Sequence, residues 1–588
     1  MTRWLFVLLL GVCLASPLLA VEKEPALGDA IGELHFKDIR YLNRSLADFP
    51  DRKAFVLVFT STSCPLVPRY FPTLVRLEKD YRDKGVQFLA LNVGADDSIV
   101  AMAGQAVEYE VPFPFVKDFG AVCARAVGIK RTPEVAVLDG KHRLVYRGRI
   151  DDQYRPGTAR KEPTRRDLKE ALDDVLAGRV VKVPQTTVDG CLITIPERRR
   201  PDKAPTYGEQ VGPLLRKHCA ACHRPGTTAP FSLLTYEQAK ANAKAIAEVV
   251  RDGQMPPWFA APDHGQFVNR RGLDAAERDT ILEWARAGAP EGKAAAARPD
   301  LDKERAAKWA IGEPDLVLTT EEFELPAAGD VAYKYVVLPH IFLSETWVQS
   351  IQILPDNPRV VHHANLGYVA LGERFSEKNF LTGVVPGGEP MHLANGMAVR
   401  LPAGSGLALQ IHFVTTGKKE KCKLSVGLRY PRTPVHKQLR HLLLVDKSFK
   451  IPPGDPAHAV RVDRTLDRDV IGVGLFSHMH LRGKAMSFKA HLPSGKSETL
   501  LIIANYSFSW QLPYRWEPDK MKLPKGTRIE CVALYDNSPF NAYNPDPKAT
   551  VGDGPQTYHE MMNGFFFYID EKEDLNLTIN VKNGTVKK

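Results

Sequence analysis

A chain of 588 residues is too long for one hydrophobic core, and about three or four domains are expected. With 44% hydrophobic and 25% charged residues it has an ordinary globular composition, which excludes a fibrous or largely disordered protein. The net charge of +10 comes from scattered basic residues, and the tight run Arg198-Arg199-Arg200 sits in a linker, so no nucleic-acid partner is expected.

The N-terminus reads Arg3, then an apolar run from Trp4 to Leu19, then Ala20 before Val21-Glu22-Lys23. This is the pattern of a secretory signal peptide over residues 1–20. Leu18 is large for the position three before cleavage, which leaves an uncleaved anchor open. No later run is long and apolar enough to cross a membrane. The expectation is an exported protein, periplasmic or secreted, and not integral to the membrane unless the signal is retained. Export permits disulfides. Apart from Cys13 and the pair Cys219/Cys222, five cysteines remain (Cys64, Cys123, Cys191, Cys422, Cys531), so at least one has no partner within the chain.

Residues 26–191 form the first unit. Ala54 to Thr60 is a continuous apolar run and reads as a buried strand, and Ser61 to Pro65 turns into a helix from Arg69 to Lys84. A second buried strand spans Val86 to Asn92, and after another helix Val135–Leu138 and Leu144–Arg147 read as a hairpin closed by Asp139-Gly140. Strands alternating with helices imply an α/β sandwich. Around Cys64 the strand–cysteine–helix order resembles the thioredoxin and peroxiredoxin superfamily, with Arg131-Thr132-Pro133 in the place of its cis-proline loop. Val67 stands where a thioredoxin has its second cysteine. The helix N-terminus is expected to lower the Cys64 pKa. Two readings stay open: a peroxidatic or redox-sensing Cys64, resolved by Cys191 or Cys123, or a docking module.

A Pro- and charge-rich linker, Thr194 to Pro205, leads to a second unit over residues 207–292. Its helices are expected at Val211–His218, Leu234–Asp252 and Asp274–Ala287. Between the first two lies Cys219-Ala220-Ala221-Cys222-His223, the C-x-x-C-H signature of covalent c-type haem. The two thiols would add to the haem vinyl groups and His223 would be the proximal ligand. Half a zinc site is the alternative, but no second C-x-x-C lies nearby. The all-α arrangement resembles a class I cytochrome c, which implies Met255, in Gln254-Met255-Pro256-Pro257, as distal ligand, with His264 as its rival.

From Ile311 the segments become short and alternating, with Pro and Gly turns, which implies all-β structure long enough for two sandwiches, at 311–440 and 441–582. Histidines cluster within them: His362-His363, then His412 in Gln410-Ile411-His412, then His478-Met479-His480, followed by Met561-Met562. On a strand His478 and His480 share a face, whereas His362 and His363 do so only at a kink. These clusters resemble the type II copper, ascorbate-dependent monooxygenases of the peptidylglycine and dopamine β-hydroxylating kind. That resemblance implies two jelly rolls holding two copper ions across a solvent cleft. One copper would be bound by His362, His363 and His412. The other, which binds O2 and acts on a substrate C–H bond, would be bound by His478, His480 and Met561, with Met562 facing away. Phe476 stands where the peptide enzyme has a substrate-binding arginine, and Phe565 where it has a tyrosine, while Asn563 is kept. Peptidylglycine is therefore not the expected substrate, and a less acidic or more apolar small molecule is.

The leading expectation is an oxidoreductase: an exported copper monooxygenase fed by its own haem, with ascorbate or a redox protein as possible external donor. The alternatives are an electron-transfer or copper-binding protein without hydroxylase activity, and a thiol peroxidase using Cys64.

Overall fold

The computed structural model describes residues 24–195, 202–293 and 308–587. The expected signal segment and the run Arg198–Arg200 lie outside the described residues.

The first unit is built on a seven-stranded sheet. Its strands are β1 (His35–Asp38), β2 (Asn43–Ser45), β3 (Ala54–Thr60), β4 (Val86–Asn92), β5 (Phe115–Lys117), β6 (Glu134–Asp139) and β7 (Leu144–Gly148). They lie in the order β2-β1-β5-β4-β3-β6-β7, with β3, β4 and β5 parallel. Every residue of β3 is buried. The alternation of a strand explains this: Val56 and Val58 pack on one side, against helices α1 (Val67–Tyr81), α2 (Ile99–Glu108) and α3 (Asp167–Leu176), while Phe55, Leu57 and Phe59 pack on the other with Ala121 and Val127.

The second unit is helical. A π-turn at Tyr207–Val211 runs into α4 (Gly212–His218), followed by α5 (Tyr236–Ala241), α6 (Ala243–Arg251) and α7 (Ala275–Arg286). Val211, Leu215, Ile246, Val250, Ile281 and Trp284 form its core. The single helix expected over Leu234–Asp252 is two. Asn242 breaks it: its Nδ2 donates to the Gln238 carbonyl at 2.8 Å, and its backbone (φ −107°, ψ 8°) leaves the helical region. A capping box at Asp274 and Glu277 starts α7.

The remaining chain is β-rich. The first half contains β8 (Leu316–Thr319), β9 (Lys334–Phe342), β10 (Ser350–Pro355), β11 (Val361–Ala370), β12 (Phe380–Val384), β13 (Ser405–Phe413) and β14 (Leu424–Arg429). Sheet β8-β14-β10 and sheet β9-β13-β11-β12 share one core, with Ile351, Ile353 and Val426 against Leu366, Leu409 and Ile411. The second half contains β15 (Arg440–Val445), β16 (His458–Thr465), β17 (Val470–His478), β18 (Gly483–His491), β19 (Ser497–Ile503), β20 (Arg528–Tyr535) and β21 (Asn563–Asp570). There, sheet β15-β21-β17 packs on sheet β16-β20-β18-β19 through Leu475, Phe488, Ile529 and Phe566. The C-terminal segment returns to the first half, where Leu577 bridges Val435 and Thr585 bridges Thr346.

The units touch one another. Lys37 of β1 pairs with Asp252 after α6, both side chains almost fully buried. Phe49 stacks on Phe540 with ring centroids 4.8 Å apart, and Ala260 and Phe267 bridge to Ile503 and Trp516.

Candidate functional site

His362 and His363 open β11, where a register shift between Val361 and His363 breaks the alternation and brings both rings to one side. His363 lies directly across from His412 of β13. One ligand atom from each of His362, His363 and His412 falls within 4.8 Å of the others, and the Nδ1 atoms of His362 and His363 are 3.1 Å apart. His478 ends β17 and His480 follows, with ring centroids 5.1 Å apart. The expected cleft between the two sets is closed: the His363 and His478 ring centroids are 5.7 Å apart. Five imidazoles from two sandwiches therefore form one cluster.

Several of their nitrogens have no partner. The buried His363 Nε2, His412 Nδ1 and His480 Nε2 make no hydrogen bond. The opposite nitrogens of the H-x-H pair are engaged: His478 Nδ1 with Gln511 Oε1 at 2.7 Å, and His480 Nδ1 with the His559 carbonyl at 3.2 Å. An unsatisfied buried polar group costs roughly 1–3 kcal/mol, so orphans gathered at one point call for a ligand. Burial, reinforced by the neighbouring imidazoles, pushes His362 down to about 3 and His412 to about 4. It holds His363 and His480 well below the usual histidine range. The rings are neutral at physiological pH, which is the form that binds a metal. Buried imidazoles with free lone pairs, and a thioether nearby, fit copper.

Met561 lies beside this cluster. Its sulfur accepts from Asn563 Nδ2 at 3.7 Å, and with His478 it lines a small cavity of 20 Å³. Met562 is fully buried in the core of the second sandwich. Phe476 and Phe565 line the same small cavity, and Phe476 stacks on Phe380 with centroids 6.0 Å apart. Phe380 and Phe476 also line a larger, mainly apolar cavity of 120 Å³ between the sandwiches.

Four supporting residues were not singled out from sequence. Phe508 stacks on His362 at 4.6 Å, and Tyr333 lies parallel to His412 at 4.7 Å. Gln511 orients His478. Glu560 is buried and accepts from the backbone N–H groups of His480 (2.8 Å) and Arg482 (2.6 Å), and burial pushes its carboxyl up to about 8. Its place beside Met561 was the one available signal.

The C-x-x-C-H segment follows α4 as a tight turn, with the His223 N–H donating to the Cys219 carbonyl at 2.9 Å. His223 Nδ1 is 3.1 Å from the Phe231 carbonyl, so Nδ1 carries the proton and Nε2 is left as an acceptor. Both thiols are partly exposed. This donor set fits covalent haem. Met255 and His264 line a single cavity of 590 Å³ at the boundary with the first unit, and His223 is not among its lining residues.

Cys64 sits between β3 and α1, 1% exposed, with its sulfur 3.1 Å from the Thr132 carbonyl. The Thr132–Pro133 peptide is cis. Cys191 pairs in a two-residue ladder with that same Thr132. Burial pushes the Cys64 thiol up, but hydrogen bonds from Cys191, Thr132 and the Leu66 N–H outweigh it and bring the thiol below its ordinary value. Cys123 is buried on the opposite face of the sheet, its sulfur 3.2 Å from the His35 carbonyl.

Residues 42–162 match the Redoxin family model. The chain is 24% identical over 135 residues to the thiol-disulfide oxidoreductase ResA of Bacillus cereus, covering 23% of this chain and 76% of that protein. It is 24% identical over 124 residues to ResA of Bacillus thuringiensis, covering 21% and 70%. Among solved structures, a hypothetical protein from Sinorhizobium meliloti is 30% identical, covering 30% of this chain and 98% of its own, with a TM-score of 0.28. A putative thiol:disulfide interchange protein DsbE from Chlorobium tepidum is 20% identical, covering 26% and 96%, with a TM-score of 0.20. The first unit is thus a thioredoxin-like redoxin domain, joined to a helical unit and a large β-rich region, and the chain carries an oxidoreductase module.

Proposed function

We propose that the protein is an exported copper-dependent monooxygenase whose metal centre is the histidine cluster between the two sandwiches. The sandwiches are then the two jelly rolls of the type II copper monooxygenases, and the helical unit a cytochrome c carrying haem through Cys219, Cys222 and His223. The observation that carries this reading is the convergence of five neutral imidazoles, four of them buried and His362 half-buried, with three orphaned nitrogens. Copper bound there would supply one-electron redox chemistry and O2 activation.

The chain's own residues prepare the site. Gln511 Oε1 and the His559 carbonyl fix the tautomers of His478 and His480 by accepting hydrogen bonds from their Nδ1–H groups, leaving the Nε2 lone pair of each to bind metal. Glu560 clamps the backbone of the H-x-H turn through two N–H groups. Phe508 and Tyr333 wall the imidazoles off from water. The mainly apolar cavity lined by Phe380 and Phe476, in which the one arginine, Arg515, is paired with Glu389 at 2.5 Å, suits an uncharged, largely apolar substrate. Inserting one oxygen atom of O2 into a C–H bond and reducing the other to water consumes two electrons. The haem, with ascorbate or a redox protein behind it, is the proposed source.

The test is copper-loaded full-length protein with reductant and a panel of apolar small molecules. Oxygen uptake matched by hydroxylated product, and its loss in His363→Ala and His478→Ala, is expected. Tight copper binding with no substrate-dependent oxygen uptake would replace this reading with that of an electron-transfer or copper-binding protein.

A further inference from the structure

The redoxin domain has no second cysteine within its helix turn, yet the fold supplies one from far along the chain. The segment that leaves the domain runs back along the Arg131–Thr132 strand beside Cys64 and pairs Cys191 with Thr132 and Leu192 with Arg131. Two features press it there. Arg131 Nη1 donates to the Gly190 carbonyl at 2.6 Å. Gly190 itself lies so close that a Cβ at this position would meet the Thr132 carbonyl oxygen at 2.5 Å, so only glycine permits the approach. Thr132 is also the residue whose carbonyl receives the Cys64 thiol at 3.1 Å. The two thiols are thereby brought to one residue from opposite directions, and each perturbs the ionisation of the other. Cys123 is turned to the opposite face of the sheet, and Cys422 and Cys531 are buried in the β-rich region. Among the described residues Cys191 is therefore the thiol placed to bond Cys64.

We propose that Cys64 and Cys191 form a reversible disulfide, in which the exposed Cys191 sulfur exchanges with partner thiols and the buried Cys64 is the leaving group. This couple stands independently of the copper reading. In the oxidised form, a thiolate of a reduced dithiol partner attacks Cys191 Sγ. The Cys64–Cys191 bond breaks, its electron pair leaves on Cys64 as thiolate, and Cys191 is held in a mixed disulfide. The partner's second thiolate then attacks its own sulfur in that mixed disulfide and releases Cys191. The partner dithiol has been oxidised to a disulfide, and the protein disulfide has been reduced by the same two electrons. Reversal of these steps, with a disulfide as the partner, reoxidises the pair.

The exposures set these roles. Cys64 is 1% exposed, whereas Cys191 is open to solvent, so an incoming sulfur reaches Cys191 first. Exchange is faster when the departing thiol has the lower pKa. Cys64 is held below its ordinary value by the hydrogen bonds described above, whereas partial desolvation of its sulfur against the domain and the neighbouring Cys64 push Cys191 up to about 11. The order is the reverse of a domain whose exposed cysteine is the acidic one.

The experiment uses reduced full-length protein incubated with oxidised glutathione, alkylated, and mapped by peptide mass spectrometry. The wild type is expected to give a Cys64–Cys191 peptide pair. Cys64→Ser is expected to accumulate glutathione on Cys191, because nothing beneath it can displace the adduct. In Cys191→Ser, Cys64 is expected to remain reduced, with modification slowed at least tenfold. Three results would overturn the proposal: Cys64 joined to Cys123, glutathione on Cys64 with Cys191 left free, or Cys191→Ser modified at Cys64 as fast as the wild type oxidises. The wild-type mapping requires no substitution, so misfolding of a variant does not decide the outcome.

Discussion

His363 and His478 meet edge to face with ring centroids 5.7 Å apart, although one opens a strand of the first sandwich and the other closes a strand of the second. The sites implied by sequence as two separate metal centres are therefore one continuous imidazole surface. Independent sites more than about 7–10 Å apart would respond additively to substitution, within roughly 0.3–0.5 kcal/mol. His363→Ala and His478→Ala are expected to be non-additive in copper affinity. Copper titrations of the two single variants and the double variant measure the coupling, and additivity would separate the centres.

The two adjacent methionines should divide metal binding from stability. Met561, 9% exposed, shares the small cavity with His478, while Met562 is completely buried among Phe488, Phe566 and their neighbours. Met561→Ala is expected to weaken copper binding with little change in thermal stability. Met562→Ala should leave copper binding nearly intact and cost about 2–5 kcal/mol of stability, the usual price of truncating a buried methionine. Denaturant unfolding beside copper titration checks both, and a reversal of the two effects would exchange their roles.

Much of this was legible from local pattern. The unbroken apolar run of Ala54–Thr60 could only be a buried strand, and the Cys64 loop and the C-x-x-C-H turn are short-range features whose spacing is their geometry. What escaped the sequence is set by packing between distant elements. The Asn242 break depends on one side chain competing for the Gln238 carbonyl. The Cys191 ladder is two residues long, too short for any periodicity to announce it. The closeness of His363 and His478 follows from how two sandwiches dock, which no strand pattern encodes. Phe508, Tyr333 and Gln511 were passed over because aromatic and amide residues in β structure are ordinary until their neighbours are known.

The helical unit should carry an acid-sensitive clip. Burial would raise the Glu277 carboxyl, but hydrogen bonds from Lys217, His218 and the Asp274 N–H outweigh it and hold the group at about 2. Those contacts tie α4, just before the C-x-x-C-H turn, to the start of α7. A carboxyl depressed in the folded state stabilises it above the unfolded pKa of 4.5, and that contribution is lost as pH falls toward 2. The wild type is therefore expected to lose thermal stability over this window more steeply than Glu277→Gln. Melting followed by circular dichroism between pH 5 and about pH 2 reads the difference. Parallel curves for the two proteins would show that the clip contributes nothing.

Met255 and His264 are the two candidates for the second ligand of the proposed haem. In the proposed haem site, His223 Nδ1–H donates to the Phe231 carbonyl, which leaves Nε2 free to bind iron. Met255 and His264, the two candidates for the opposite side, line the same cavity of 590 Å³, so position alone does not choose between them. Their surroundings differ. His264 Nε2 lies 3.9 Å from the Glu108 carboxylate of the redoxin domain, a partner it would surrender on turning to iron. Met255 is half-buried beside Pro256 and Pro257, and a thioether gives up no charged partner on binding iron. Met255 is therefore the expected ligand, and a thioether raises the reduction potential above that of bis-histidine ligation. In haem-loaded full-length protein, Met255→Ala should abolish the sulfur-to-iron charge-transfer band and lower the potential, while His264→Ala should leave both unchanged. If His264→Ala alone perturbs the spectrum and the potential, the histidine is the ligand.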